Sequence, residues 1–248
     1  MQQYFIDTLA PNIGEVIEIT DSETFNHIFR VMRVKEGDFL NLVFNDQKLA
    51  HVRVISEGKV EILDYPTYHV ELPFDVTIAV GYPKGDKLDF IVQKATELGA
   101  SEILAFPATW SVSRPDAKKL DKKRQRLAKI AQGASEQSKR LKIPHIELLS
   151  KQKDLLDKFS DYDHVLVAYE ESAKEGEGSA LVENLKKTQK GDKLLVIFGP
   201  EGGLSPDEVG TFISLGASSM GLGPRIMRAE TAPLYALSSI SFYSELLK

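Results

Sequence analysis

From Val76 onward, apolar runs alternate with helical periodicities, and this alternation constrains the fold more than any other feature of the chain. VTIAVGY (76–82), SEILAFP (101–107), HVLVAYE (164–170) and KLLVIFG (193–199) read as strands of the kind that parallel sheets bury on both faces, and ASSMGLG (217–223) as a weaker one. Between the first two, Leu88, Ile91, Val92, Ala95 and Leu98 recur at helical spacing, with Asp86 to cap and Gly99 to terminate. A long basic helix is expected from about Asp116 to Leu141, a loop at KEGEGS (174–179), and a closing helix from Arg228 or Ala229 to Leu247. The pattern predicts an α/β domain with a largely parallel sheet.

Residues 1 to 72 follow another rule. YFIDT, EVIEI, DFLNLVF, LAHVRVIS and KVEILDY are short alternating runs separated by NDQK and SEGK, which predicts a small β module, a barrel. One helical insert interrupts it, with Ser22 as cap and Phe25, Ile28, Phe29 and Met32 on one face. YPTYHVELPFD (65–75) makes the boundary, so the 248 residues divide into domains 1–72 and 73–248.

Composition excludes several chemistries. The chain has no cysteine, which removes disulfides, thiolate zinc sites and thiol nucleophiles. No metal site is expected. No apolar run is long enough for a membrane span, and MQQYFIDTLAPN has no signal-peptide pattern, so the cytoplasm is the expected compartment. The net charge of −5 hides a local excess: residues 114–142 hold eleven Lys/Arg against three Asp/Glu. Such asymmetry points to an anionic partner or to a solvated helix face.

Two turns carry the functional signal. FGPEGGLSPDE (198–208) follows the strand LLVIF, and LGPRIMRAETA (222–232) follows the weaker strand. In open α/β sheets, ligands sit beyond the carboxyl ends of the strands. Ser205, Pro206 and Glu208 already form a capping-box pattern, so Gly199, Gly202 and Gly203 exceed what capping needs and read as ligand-binding. Neither turn has the lysine and hydroxyl of a Walker loop or the spacing of a dinucleotide fingerprint. Glu201 would repel a pyrophosphate. An adenosine moiety gripped by backbone groups fits better.

Together, GPEGGLSPDE and LGPRIMRAETA resemble the C-terminal signature of the SPOUT class of trefoil-knotted RNA methyltransferases. More narrowly they resemble the bacterial 16S ribosomal RNA uridine N3-methyltransferases, ribosomal RNA small subunit methyltransferase E. HIFRVMRVKEGD (27–38), KGDKLDFIVQKATELGA (84–100), EQSKR (136–140) and VAYEES (167–172) match the same family in order. The resemblance implies a knotted α/β domain, an N-terminal PUA-like barrel, a homodimer, S-adenosylmethionine as cofactor, and 16S rRNA or the small ribosomal subunit as partner. It implies a cofactor cleft walled by Ala168, Tyr169 and Glu170 and floored by Phe198, Gly199, Pro200, Glu201 and Gly202. Leu222, Gly223, Arg225, Ile226, Met227, Arg228, Thr231 and Ala232 would close it.

The uracil N3–H must lose its proton before it can attack a methyl group. A carboxylate can take that proton, or an arginine can stabilise the anion while water removes it. Arg228 and Glu230 stand at the mouth of the last helix, and Arg140 joins them as the third candidate. Glu230 alternatively caps that helix and pairs with Arg225 or Arg228. For RNA, Lys118, Lys119, Lys122, Lys123, Arg126 and Lys139 are expected to face outward from the basic helix, Gln137 and Arg140 to line a cleft, and His27 and Arg33 to extend the contact from the barrel. Thr109-Trp110 stands where the family carries an arginine-bearing step; Arg114 can substitute, or Trp110 can stack on a base. The competing reading is a non-catalytic RNA-binding or assembly factor that kept the fold.

Overall fold

The computed structural model describes residues 1–112, 117–169 and 180–247, so the expected loop at 174–179 and the helix start at Asp116 lie outside the described residues. The backbone divides into two compact units: Met1–Glu71 with Ser135–Lys142, and Leu72–Ala134 with Ile143–Lys248. The sequence pattern runs the second domain unbroken from residue 73, whereas residues 135–142 group with the first unit. The cause is local. The basic helix stops at Ser138, Lys139 turns through a left-handed φ of 64°, and Arg140 places its guanidinium on Glu71.

In the first unit β1 (Gln3–Ile6), β2 (Val16–Glu18), β3 (Phe39–Phe44), β4 (Leu49–Ser56) and β5 (Lys59–Asp64) form one sheet in the order β1-β3-β4-β5-β2. β1 runs parallel to β3 and the other pairs are antiparallel, so the sheet curls into a half-barrel with β1 and β2 at its edges. Alternation on β4 and β5 buries Ala50, Val52, Val54, Val60 and Ile62 against Tyr4, Leu42 and Phe44. The helical insert is α1 (Ser22–Phe25) followed by a π-helical stretch, Asn26–Val31. Its cap is Asp21 rather than Ser22: the Thr24 N–H donates to Asp21 Oδ2 at 2.7 Å. Ile28 and Phe29 are buried as expected, but Met32 is 40% exposed. A π turn bonds i to i+5, as Met32 N–H does to His27 O (2.9 Å), which rotates Met32 off the face that a regular helix would give it.

In the second unit β6 (Asp75–Gly81), β7 (Glu102–Phe106), β8 (His145–Leu148), β9 (His164–Ala168), β10 (Lys193–Phe198) and β11 (Ser218–Met220) form an all-parallel sheet in the order β11-β9-β10-β6-β7-β8. Both faces are covered. Leu194, Val196 and Phe198 of β10 pack with α2 (Lys87–Glu97), α3 (Ala117–Ser138), α5 (Ala180–Lys187) and α7 (Ala232–Ser241). Leu195 and Ile197 pack on the other side with α4 (Gln152–Leu156) and α6 (Pro206–Ser214). Leu237 and Ile240 of α7 lie wholly in this core, while Tyr235 and Phe242 are exposed.

The order of the strands locates a crevice. β6 and β10 are neighbours, yet the chain leaves β6 toward β7 on one side and leaves β10 for β11 on the other. At such a switch point the connections part, and the carboxyl ends of the two strands open onto solvent.

Candidate active site at the carboxyl ends of the strands

β6 ends on Gly81 and β10 runs into Gly199-Pro200. A Cβ on Gly81 would stand 2.5 Å from Pro200 Cδ, so only glycine lets the turn after β10 close onto β6. The same turn folds back on itself. A Cβ on Gly199 would meet the Gly203 and Leu204 backbone at 2.7–2.9 Å, Gly203 has φ 77°, and its N–H donates to Pro200 O (2.8 Å). A Cβ on Gly202 would meet Trp110 Cβ at 3.0 Å. Gly199 is therefore required by packing and Gly203 by its left-handed φ, while Gly202 fits closely against Trp110. Each glycine thus has a use within the turn itself, apart from any ligand it meets.

Beyond the turn, the capping box is present: Glu208 N–H donates to Ser205 Oγ (3.2 Å) and Ser205 N–H to Glu208 Oε2 (2.9 Å). The other oxygen of this buried carboxylate accepts from Thr109 N–H and from Gln152 Nε2, both at 2.7 Å. Glu208 thus fixes α6 and also the segment that carries Trp110, which is 47% exposed.

The turn after β11 is built differently. Tyr169 N–H donates to Met220 O (3.1 Å), carrying the β9–β11 pairing one residue past Ala168. Leu222 packs against the core and Gly223 takes φ 88°. From Leu222 to Met227 the backbone forms no backbone hydrogen bond with any described residue. Arg225, Ile226 and Arg228 are exposed, Ile226 at 79%. Order returns where Thr231 and Ala232 N–H groups donate to Arg228 O at 2.8 and 3.0 Å. Thr231 occupies the N-cap of α7 without a side-chain cap bond, so Glu230 is not the cap.

The two turns meet at Lys87, the first residue of α2. Its Nζ lies 2.9 Å from Glu201 Oε1 and 3.0 Å from Glu230 Oε2. Glu201 Oε1 also accepts from Lys84 N–H (3.1 Å). Glu230 Oε2 is buried and makes no hydrogen bond with any described residue, so its contact with Lys87 is a charge pair. Glu230 therefore pairs with Lys87, not with Arg225 or Arg228. The Lys87 ammonium holds the Glu230 carboxyl below its ordinary range, with help from a backbone N–H and the Arg228 charge. Burial pushes Glu201 up, but Lys87 and backbone N–H groups outweigh it and the net shift is downward. Lys87 is raised in turn, first by Glu201 and then by Glu230. Lys87 was not among the residues singled out in the sequence; two acids facing one helix start were the missing signal, visible only in three dimensions.

Of the other sequence candidates, Phe198 is buried in the core and offers the site only its backbone. Ala168, Tyr169, Pro200, Glu201, Gly202 and Ala232 stand on the turns or strand ends just described. Arg114 and Glu170 lie outside the described residues. Arg140 belongs to the first unit and is 2% exposed. Its Nε and Nη2 donate to Glu71 Oε2 at 3.1 and 2.6 Å, and its carbonyl accepts from Gln3 Nε2 at 2.7 Å. This corrects its reading as a cleft residue beside Gln137: the helix ends before it, so the two do not share a helical face, and Gln137 is exposed.

On α3, which begins with Ala117 and Lys118, Lys119 and Lys122 are exposed. Arg126 forms a bidentate pair with Asp89, and Lys123 packs over the Tyr82 ring (5.9 Å), where burial lowers its ammonium. Neither is simply an outward charge. Lys139 is exposed and donates to Met1 O (3.0 Å). His27 is held by Tyr4, oxygen to Nδ1 3.1 Å, and Arg33 is exposed with φ 55°. A separate group, Glu102, His145 and Glu147, has ligand atoms within 4.8 Å of one another. Its carboxylates are already engaged, Glu102 by Tyr162 OH (2.8 Å) and Glu147 by Lys158 (2.9 Å).

Comparison with known proteins fits this geometry. A family described as RNA methyltransferase domain matches residues 70–241, and one described as RNA methyltransferase PUA domain matches residues 19–63. Ribosomal RNA small subunit methyltransferase E of Bacillus subtilis (strain 168) is 44% identical across 100% of this chain and 99% of its own length. The chain belongs to the ribosomal RNA small subunit methyltransferase E family. The Mycobacterium bovis member is 29% identical over 96% of this chain and 90% of its own. Among solved structures, a hypothetical protein matches at TM-score 0.89 with 41% identity, each chain covered fully. The family's fold also appears in the Neisseria gonorrhoeae member bound to S-adenosyl methionine, at TM-score 0.82 and 24% identity, with 98% of each chain covered.

Proposed function

We propose that this chain transfers a methyl group from S-adenosylmethionine to N3 of a uridine in the 16S rRNA of the small ribosomal subunit. The observation that carries the reading is the meeting of two turns at the switch point, closed over Lys87, in a chain 44% identical end to end to a ribosomal RNA small subunit methyltransferase E.

The residues present fit the cofactor on two counts. The backbone groups of Leu222–Met227 make no backbone hydrogen bond with any described residue, which suits a ligand whose adenine edge needs main-chain donors and acceptors. Two carboxylates held ionised, with a buried oxygen of Glu230 lacking an aligned donor, supply negative potential suited to a sulfonium. Bound there, S-adenosylmethionine supplies an electrophilic methyl group. The wall is Ala168 and Tyr169, the floor Gly199 to Gly202, and the cover Leu222 to Ala232. A carboxyl held below its ordinary range is a weak base, so Glu230 orients and polarises. Arg228, exposed at the mouth, stabilises the anionic uracil while water takes the N3 proton.

Lys119 and Lys122, exposed on the basic helix, give phosphate contacts, and within the first unit the exposed Arg33 offers a contact of the same kind. The exposed Tyr235, Phe242, Leu246 and Leu247 support a homodimer through the C-terminal helix. Among the described residues no helix is long and apolar enough to cross a membrane, which accords with work on ribosomal RNA in the cytoplasm.

Calorimetric titration with S-adenosylmethionine, with ATP and NAD as controls, tests the cofactor. Methyl transfer to small subunits lacking the modification, mapped by nucleoside mass spectrometry, tests the position. Saturable binding of S-adenosylmethionine alone with N3-methyluridine as product is the expected result. Binding of RNA without either would favour the non-catalytic assembly factor.

A further inference from the structure

We infer that Lys87 is the positioning residue of this site: its ammonium, placed between Glu201 and Glu230, clamps the turn after β11 onto the turn after β10 so that the two form one binding wall. The inference rests on the methyltransferase reading for what the wall binds, though not for the clamp itself.

Three observations carry it. First, Lys87 is the residue that joins the turns. Its Nζ is within 3.0 Å of a carboxylate from each, 2.9 Å for Glu201 and 3.0 Å for Glu230. Second, the turns differ in what else holds them. Residues 199–203 are held by the close packing of Gly199 and Gly202 and the positive φ of Gly203, whereas Leu222–Met227 make no backbone hydrogen bond to described residues; the tie at Glu230 stands at the exit of that stretch, three residues past its end. Third, the placement of the lysine runs against local preference. A cation in the first turn of a helix opposes the positive end of the helix dipole, and Asp86 before it makes no cap bond. The next residue, Leu88, is 1% exposed in the core, so the backbone that carries Lys87 is anchored and its side chain has a fixed origin.

Burial makes the clamp matter. The side chains of Lys87, Glu201 and Glu230 are 33%, 25% and 18% exposed. Removing the ammonium leaves two carboxylates facing each other from opposite turns with no cation between them. Partly buried like charges repel and raise one another's pKa. Among the described residues the other charge acting on the group is Arg228, which acts on Glu230 and not on Glu201. Without Lys87 the second turn should therefore swing away from the first, and both carboxyls should titrate at higher pH.

The test compares the wild-type protein with Lys87→Met, which keeps the length of the stem, and Lys87→Arg, which keeps a bridging cation. Carboxyl 13C NMR titration reads the two acids directly and needs no ligand. Depressed values in wild type, raised in Lys87→Met and restored in Lys87→Arg, are expected. Amide exchange of residues 222–231 should quicken in Lys87→Met alone. The affinity for S-adenosylmethionine should fall on the order of tenfold in Lys87→Met, about 1.4 kcal/mol, and recover in Lys87→Arg. Unchanged carboxyl titration and exchange in a folded Lys87→Met protein overturn the clamp. Failure of wild type to bind S-adenosylmethionine, with the NMR result as expected, sinks the cofactor reading and leaves the clamp standing.

Discussion

The turn after β10 and the turn after β11 both lie at the carboxyl ends of the strands, with β9 between them in the sheet, yet they are held by different physics. In the first, specificity of shape comes from missing side chains: Gly81, Gly199 and Gly202 each sit where a Cβ would strike backbone or Trp110. In the second, a stretch of open backbone is tied down by charge at Glu230 and by the start of α7. A steric lock is insensitive to pH and salt, whereas an electrostatic tie is not. The site thus pairs a fixed floor with a cover whose hold depends on protonation.

The largest effect should come from breaking the steric lock. Gly199→Ala places a methyl group 2.7–2.9 Å from backbone that has no room to yield. Its cost should reach about 4 kcal/mol, at the far end of single substitutions, read as a drop in denaturant midpoint. Gly202→Val meets a side chain instead and should cost roughly 2 kcal/mol by overpacking. Because Trp110 is the only tryptophan, its emission reports the displacement directly; an unchanged spectrum would refute the contact. Gly223→Ala, in the second turn, adds a Cβ that meets no described atom nearer than Tyr235 OH at 4.0 Å, so it carries the strain of φ 88°, about 1 kcal/mol. A cost equal to that of Gly199→Ala would erase the distinction between the turns.

Acid should act on the charged tie between the turns and not on the glycine packing of the first. Glu201 and Glu230 have lowered folded pKa values, so their stabilisation is complete above the ordinary carboxylate value of 4.5 and is lost as pH falls through the depressed ones. Lys87, raised above 10.5, contributes fully below that value and is lost as pH rises through its folded pKa. The stability difference between wild type and Lys87→Met should therefore be flat across neutral pH and shrink at both extremes; solvent screening keeps it modest. Smallest of all, Lys119→Glu with Lys122→Glu should leave stability within about 0.5 kcal/mol. The same pair should reduce the salt slope of RNA binding by about 0.9 for each phosphate no longer neutralised. An unaltered slope would make α3 a solvated face and nothing more.

Much of the frame was legible in the sequence because it rests on periodicity. The runs around Ile78, Leu104, Leu166 and Val196 are buried strands, and Leu88, Ile91, Val92 and Ala95 make the core face of α2. β8 escaped notice because HIEL is short and two of its residues are polar, at the edge of the sheet. Long-range contacts were invisible. Nothing near Arg140 in the chain announces Glu71, and nothing near Gly202 announces Trp110, so the structural partners of both residues stayed hidden. The same blindness hid Lys87, whose two partners come from turns far along the chain.

The position of β10 in the sheet has a consequence for how the protein is made. Lys193–Phe198 fills the place beside β6, pairing Asp75 with Lys193 and Val80 with Phe198. A ribosome that has delivered Gly81 and Phe106 must still add the whole chain up to Phe198 before β6 acquires its second neighbour. During that interval one edge of an apolar strand waits without a partner, and such long-range closure is slow and aggregation-exposed. The first unit's five-stranded sheet, in contrast, draws on no strand beyond Asp64. Nascent chains of this protein are therefore most vulnerable between the completion of β7 and the arrival of β10, and it is there that chaperone binding should concentrate.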